Sequence, residues 1–117
     1  MNSSLAIANL LKILGEEVRP PIRISTTAWA ETYRFLSPKS TALPGKYVAE
    51  TTPWVRGIHE ALDDPKIFKV VAQKSAQVAW TDGVLLNYIG HRIHLEPCPM
   101  IIMFDKEGSA KITCSML

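Results

Sequence analysis

The chain is short of cysteine, of long apolar runs, of strong net charge, and of glycine in the one stretch where a phosphate-binding loop would call for it. Its two cysteines, Cys98 and Cys114, stand in neither a CxxC nor a Cys/His spacing. That leaves no disulfide framework and no zinc motif, and it fits a reduced, cytosolic setting. No apolar stretch approaches the ~18 residues that a membrane-spanning helix needs. The N-terminus shows no charged segment leading into an apolar core and a cleavage site. A cytoplasmic protein with no membrane partner is therefore expected. Net charge is +2 with a pI near 8.6, too mild to argue nucleic-acid binding without a clustered basic face. Internal repeats and low-complexity tracts are lacking as well.

What remains is a small globular composition, 47% hydrophobic and 21% charged over 117 residues, enough for one core. Nucleotide hydrolases with several parallel strands usually need roughly 200 residues or more. Ser3-Ser4 reads as the cap of a helix running to about Glu17, with Leu5, Ile7, Ala8, Leu10, Leu11 and Leu14 on a broad apolar face. Arg19-Pro20-Pro21 ends it. This segment is either a packing arm or a partner-docking helix. Ser25-Thr26-Thr27 caps a second helix, Ala28 to Leu36, on which Trp29 and Tyr33 share a face. Ser37 to Gly45 is turn-rich, and Thr51-Thr52-Pro53 opens a third helix, Trp54 to Leu62, closed by Asp63-Asp64-Pro65.

The apolar run Ile67 to Val71 reads as a buried strand. Beyond it Val84, Leu85, Tyr88, Ile89 and Ile93 repeat at helical spacing, and Met100 to Phe104 is a second apolar run. Strand, helix and strand at this spacing predict a right-handed βαβ unit with parallel strands. With so few strands, Ile101 and Ile102 are expected to lie poorly covered, giving marginal stability or self-association.

Between the first strand and its helix lies Lys74-Ser75-Ala76-Gln77-Val78-Ala79-Trp80-Thr81. A strand, a tight loop and a helix opening on a hydroxyl residue present N–H groups and a helix N-terminus to an anion. Against G-x-x-x-x-G-K-[ST] only Thr81 matches: Lys74 and Ala79 replace the glycines, and Trp80 stands at the lysine position. A lysine on the opposite rim can still span the loop and supply the cation, and Thr81 can supply the Mg²⁺-bound hydroxyl. Ala79 is tolerable at negative φ and costs on the order of 1 kcal/mol at positive φ. Asp82 suits the helix dipole but must point away from bound phosphate. An ordinary strand-to-helix turn is the competing reading.

The order of these residues resembles the variant Walker A loop of the lambda-type bacteriophage terminase large subunit, a DNA-packaging ATPase. The resemblance extends to Trp29 through Ser37, Pro44 through Tyr47, Thr52-Pro53-Trp54 with Arg56 and Ile58, Ala61 through Pro65, and Leu86 through Gly90. It covers roughly residues 25 to 104. It implies an α/β protein: an incomplete P-loop NTPase-type three-layer fold, with N-terminal helices followed by the parallel βαβ unit. Residues 1–24 would be an N-terminal arm, and 25–117 the N-terminal portion of the ATPase domain, without the Walker B strand and the nuclease domain. Lys74 through Thr81 and Tyr47 would bind ATP, with Lys74 as the displaced lysine and Thr81 holding Mg²⁺ through ATP. Tyr47 is either an adenine-stacking or a packing aromatic, and Arg56 either lies on the adenine side or is a solvated charge. Double-stranded DNA, the terminase small subunit and the portal or procapsid would be partners in the host-cell cytoplasm, for a phage or prophage protein.

Two departures stand out. Ala79 replaces the family's usual glycine, and Asp105-Lys106 stands where a Pro-Thr pair is usual. Hydrolysis needs a Mg²⁺ carboxylate and a second one to orient water. Asp105 is the single candidate, at a position where the family has no metal ligand, so no catalytic residue is convincing. His91 and His94, three apart, read as a solvated face rather than a zinc pair. The alternatives are a small nucleotide-binding or hydrolysing protein using Asp105, and an inactive remnant acting as an interaction module.

Overall fold

Helix starts and stops in this chain follow from its hydroxyl, proline and apolar positions, and the computed structural model, which describes residues 2–115, shows where they fall. In chain order they are α1 (Asn2–Glu17), α2 (Thr26–Tyr33), α3 (Trp54–Asp63), a π-helical turn (Trp80–Leu85) that runs into α4 (Leu86–Leu95), and α5 (Glu107–Cys114). Strands β1 (Phe35–Leu36) and β2 (Gly45–Lys46) form a two-residue antiparallel pair, with Phe35 opposite Lys46 and Leu36 opposite Gly45. A 3₁₀ turn at Ala49–Thr51 leads into α3.

Ser25 caps α2 as expected, its side chain accepting from the Ala28 N–H at 3.3 Å. That helix stops at Tyr33 instead of Leu36, because Arg34 turns extended and feeds β1. α1 already runs at Asn2, so Ser3 and Ser4 lie inside its first turn and do not cap it.

The core forms where α2 packs on α4 and α3 packs on both α2 and the π-helical turn. Trp29, Ala30, Tyr47 and Ala49 make its centre, with Ile24, Leu36 and Leu95 against them. Trp29 lies across Gly90 so closely that a Cβ there would stand 2.3 Å from the ring. Its indole N–H donates to His94 Nδ1 at 2.9 Å. The start of α2 is tied to the end of α3: Thr26 donates to Asp63 through its backbone N–H (2.8 Å) and its hydroxyl (2.6 Å).

α1 takes no part in this core. None of its residues is buried, and the Cα radius of gyration is 18.9 Å, against about 13 Å for a compact chain of 100 residues. Its leucines and isoleucines are at least half exposed.

The expected parallel strands are the main correction. Neither Ile67 to Val71 nor Met100 to Phe104 joins a sheet, and the antiparallel β1–β2 pair is the one sheet among the described residues. A run of apolar residues becomes a strand only when a neighbour supplies the other half of the hydrogen-bond ladder, and these two runs do not pair. Phe68, Ile101 and Met103 are each close to nine-tenths exposed or more. Ile101 is thus as uncovered as the sequence suggested, whereas Ile102 is more than half covered.

Candidate functional site

The loop that follows the first apolar run owes its shape to two residues in the left-handed region, Gln77 (φ 60°) and Ala79 (φ 57°). Alternation of left- and right-handed backbone turns successive N–H groups to one side and builds an anion-binding concavity. Ala79 immediately precedes the π-helical turn, and its carbonyl accepts from the Gly83 N–H at 2.7 Å. π-type turns recur at functional sites because the extra residue displaces the local backbone.

A cavity of about 720 Å³ opens over this loop. Lys74, Gln77, Val78, Ala79, Trp80 and Thr81 line one side of it, and Asp105 lies on its wall from the second apolar run. Of the loop residues proposed from sequence, Ala76 is exposed, and Ser75 lines a neighbouring apolar pocket beside Trp54 and Ile58 that shares Lys74, Val78 and Trp80 with the first. Lys74 is exposed, and its ammonium makes only a long 3.5 Å contact to the Ser75 carbonyl. The loop is anchored from α3, where the Trp54 indole donates to the Val78 carbonyl at 3.3 Å.

A second cavity of about 460 Å³ shares Gln77, Ala79 and Asp82 with the first. Lys46 and Tyr47 are on its wall. Tyr47 is both a core residue, 5% exposed, and a lining residue, and its buried hydroxyl has no protein partner. Arg56 is elsewhere. It pairs with Glu50 (3.5 Å) and Glu31 (3.9 Å) with about half its side chain exposed, a surface ion cluster.

Residues that the sequence reading passed over hold the site from behind. Arg34 donates to Asp82 Oδ1 (3.1 Å), to the Asp82 carbonyl (3.3 Å) and to Asn87 Oδ1 (2.9 Å), and buried Asn87 donates to the Gly83 carbonyl (2.8 Å). Burial lowers the Arg34 pKa, offset in part by Asp82 and Tyr47, and the guanidinium stays charged. Its one sequence signal was its place in the Trp29 to Ser37 block.

Of the two α4 histidines, His94 is exposed, as expected of a solvated face, and His91 is not. His91 is buried and its Nε2 bonds the Ile24 carbonyl at 2.8 Å, while His94 accepts from Trp29. His59, 1% exposed, bonds Thr27 through Nδ1 at 3.0 Å.

Burial lowers the His59 pKa below 6.5, and nearby His91 adds to this, while the Gly83 backbone and Asp63 oppose it. The unfolded chain then binds the extra proton more readily than the folded one. Stability is therefore complete above about pH 6.5 and declines as the pH falls below it. Melting curves taken from about pH 7.5 to 5 should show this decline, and His59→Gln should flatten it.

Ala79→Gly tests the loop geometry. A left-handed alanine costs ~1–2 kcal/mol, of which glycine's freedom in the unfolded chain returns part. A net gain of about 0.5–1 kcal/mol is expected, a rise of a few degrees in melting temperature. An unchanged or lower midpoint would show that position 79 is not left-handed.

A loop with two left-handed residues thus runs into a helix, with Lys74 and Thr81 on one shared cavity. The family assignment is more particular: the chain belongs to the family of the phage terminase large subunit gpA ATPase domain, whose model matches residues 41–115. No curated protein and no solved structure gave a match.

Proposed function

We propose that this chain carries the nucleotide-binding segment of a phage DNA-packaging ATPase, with ATP held at the 74–81 loop. The observation that carries this reading is the convergence of Lys74, Thr81 and the two left-handed residues on one cavity, within the segment the family model matches. Lys74 would meet the outer phosphates, backbone N–H groups of the loop would hold the inner ones, and the Thr81 hydroxyl would face Mg²⁺. The base would enter the second cavity, which Tyr47 lines and where its hydroxyl has no partner among the described residues. Bound Mg²⁺–ATP supplies the free energy that such a motor spends on translocation. The chain's own residues bind and orient it.

In this reading residues 25–117 are the first part of a P-loop ATPase domain and 1–24 an arm. Double-stranded DNA, the small subunit and the portal or procapsid are partners of the whole assembly in the host cytoplasm. The exposed α1 is suited to the small subunit. Among the described residues no helix is long and apolar enough to cross a membrane.

A specific observation favours a second reading, hydrolysis by this chain itself: Asp105 shares the cavity with Lys74 and Thr81. Titration with Mg²⁺–ATP, using Lys74→Ala as control, tests the first reading. Steady-state turnover that disappears in Asp105→Ala would establish the second.

A further inference from the structure

We propose that Arg34 is a positioning residue of the nucleotide site, holding the Asp82 carboxylate back from the phosphates. This rests on the reading of the 74–81 loop as a phosphate site. Asp82 is the third residue of the π-helical turn and borders three cavities: the phosphate cavity, the one beside Tyr47, and a smaller one of about 310 Å³ behind the loop. Arg34 lies on the wall of the last one and reaches Asp82 from that side. A carboxylate one residue beyond Thr81 is a liability in a site for a polyanion, since like charges repel steeply where water is partly excluded.

Arg34 answers this in two ways. Its Nη2 takes Oδ1 of Asp82 at 3.1 Å, with side chains 13% and 24% exposed, so the pair is shielded from solvent. Its Nη1 bonds both the Asp82 carbonyl and Asn87 Oδ1, which fixes the backbone of the first helical turn as well as the carboxylate. Lysine, a point charge without the planar fork, cannot make the same three contacts. Asn87 completes the arrangement by donating to the Gly83 carbonyl. The guanidinium is the outlying member: it springs from the residue that ends α2, 48 positions earlier in the chain.

The test measures dissociation constants of the full chain for Mg²⁺–ATP and Mg²⁺–ADP, in wild type, Lys74→Ala, Arg34→Ala, Asp82→Asn and the Arg34→Ala/Asp82→Asn double variant. Arg34→Ala is expected to weaken ATP about tenfold and ADP less, because the freed carboxylate opposes the larger charge more. Asp82→Asn is expected to bind ATP at least as tightly as wild type. The double variant should return to within about threefold of Asp82→Asn, a coupling that a purely structural staple would not show. Equal losses for Arg34→Ala in both backgrounds, or equal losses for ATP and ADP, overturn the proposal. If Arg34→Ala has no cooperative melting transition, Asp82→Asn decides alone: ATP binding at least as tight as wild type supports the clamp and weaker binding overturns it. Wild-type binding unaffected by Lys74→Ala would instead overturn the phosphate-site reading, and the clamp with it.

Discussion

Alanine at position 74 is expected to weaken Mg²⁺–ATP binding by about 10- to 100-fold in an equilibrium titration of the full chain. The magnitude follows from the chemistry of the contact. A charge-assisted hydrogen bond contributes ~1.5–3 kcal/mol, and each 1.4 kcal/mol is a factor of ten. Among the described residues Lys74 is the one lysine on the wall of the cavity of about 720 Å³, and it has no carboxylate partner there to give up on binding. Because the residue is exposed and its contact with Ser75 is long, the substitution should leave the melting temperature within a degree or two. Lost affinity with unchanged stability would therefore report on the ligand contact alone. A loss of less than threefold would mean that the cation comes from elsewhere, and the displaced-lysine reading of the loop would fall.

Trp29→Ala should have the largest effect on stability, about 3–5 kcal/mol, as expected for deleting a buried tryptophan. Set against a total of ~5–15 kcal/mol for a domain of this size, that is a large share of the margin. Three things are lost together: the ring that fills the approach over Gly90, the aromatic contacts with Tyr33 (tilted) and with His91 and His94 (edge-on), and the hydrogen bond to His94. Trp29→Phe separates them. It keeps most of the ring and removes the indole donor, leaving His94 Nδ1 unpaired, and should cost about 1–3 kcal/mol. Chemical denaturation of both variants measures the split. An alanine variant within about 1 kcal/mol of wild type would show that the α2–α4 contact is not the centre of the core.

The same two sites show how far residues near in sequence can be read without a structure. The Ser25 cap of α2, Pro53 at the start of α3, and the helical spacing after the loop act within a turn or two of the chain, and those helices appear within a few residues of expectation, although no threonine side chain caps α3. The loop was legible in the same sense: Lys74 and Thr81 are recognisable by type and order, and both line one cavity. Its left-handed turns at Gln77 and Ala79 were not, because neither residue type demands that conformation.

Other features needed contacts that no local pattern encodes. The clamp on Asp82 joins residues 48 apart, the Trp29–His94 bond residues 65 apart, and the His91–Ile24 bond residues 67 apart. Periodicity placed His91 and His94 on one helix face, but packing of α2 against α4 buried His91 and left His94 exposed. The apolar runs at 67–71 and 100–104 show the converse. Their composition suits strands, yet a strand requires a neighbour's N–H and C=O groups, and neither run finds them. For the loop, then, residue order singled out Lys74 and Thr81, which line one cavity, but did not separate them from Ser75 and Ala76, which lie off it. Its left-handed shape, its π-helical exit and the arginine behind it came from the tertiary structure, because backbone strain and a buried charge persist only where distant groups hold them.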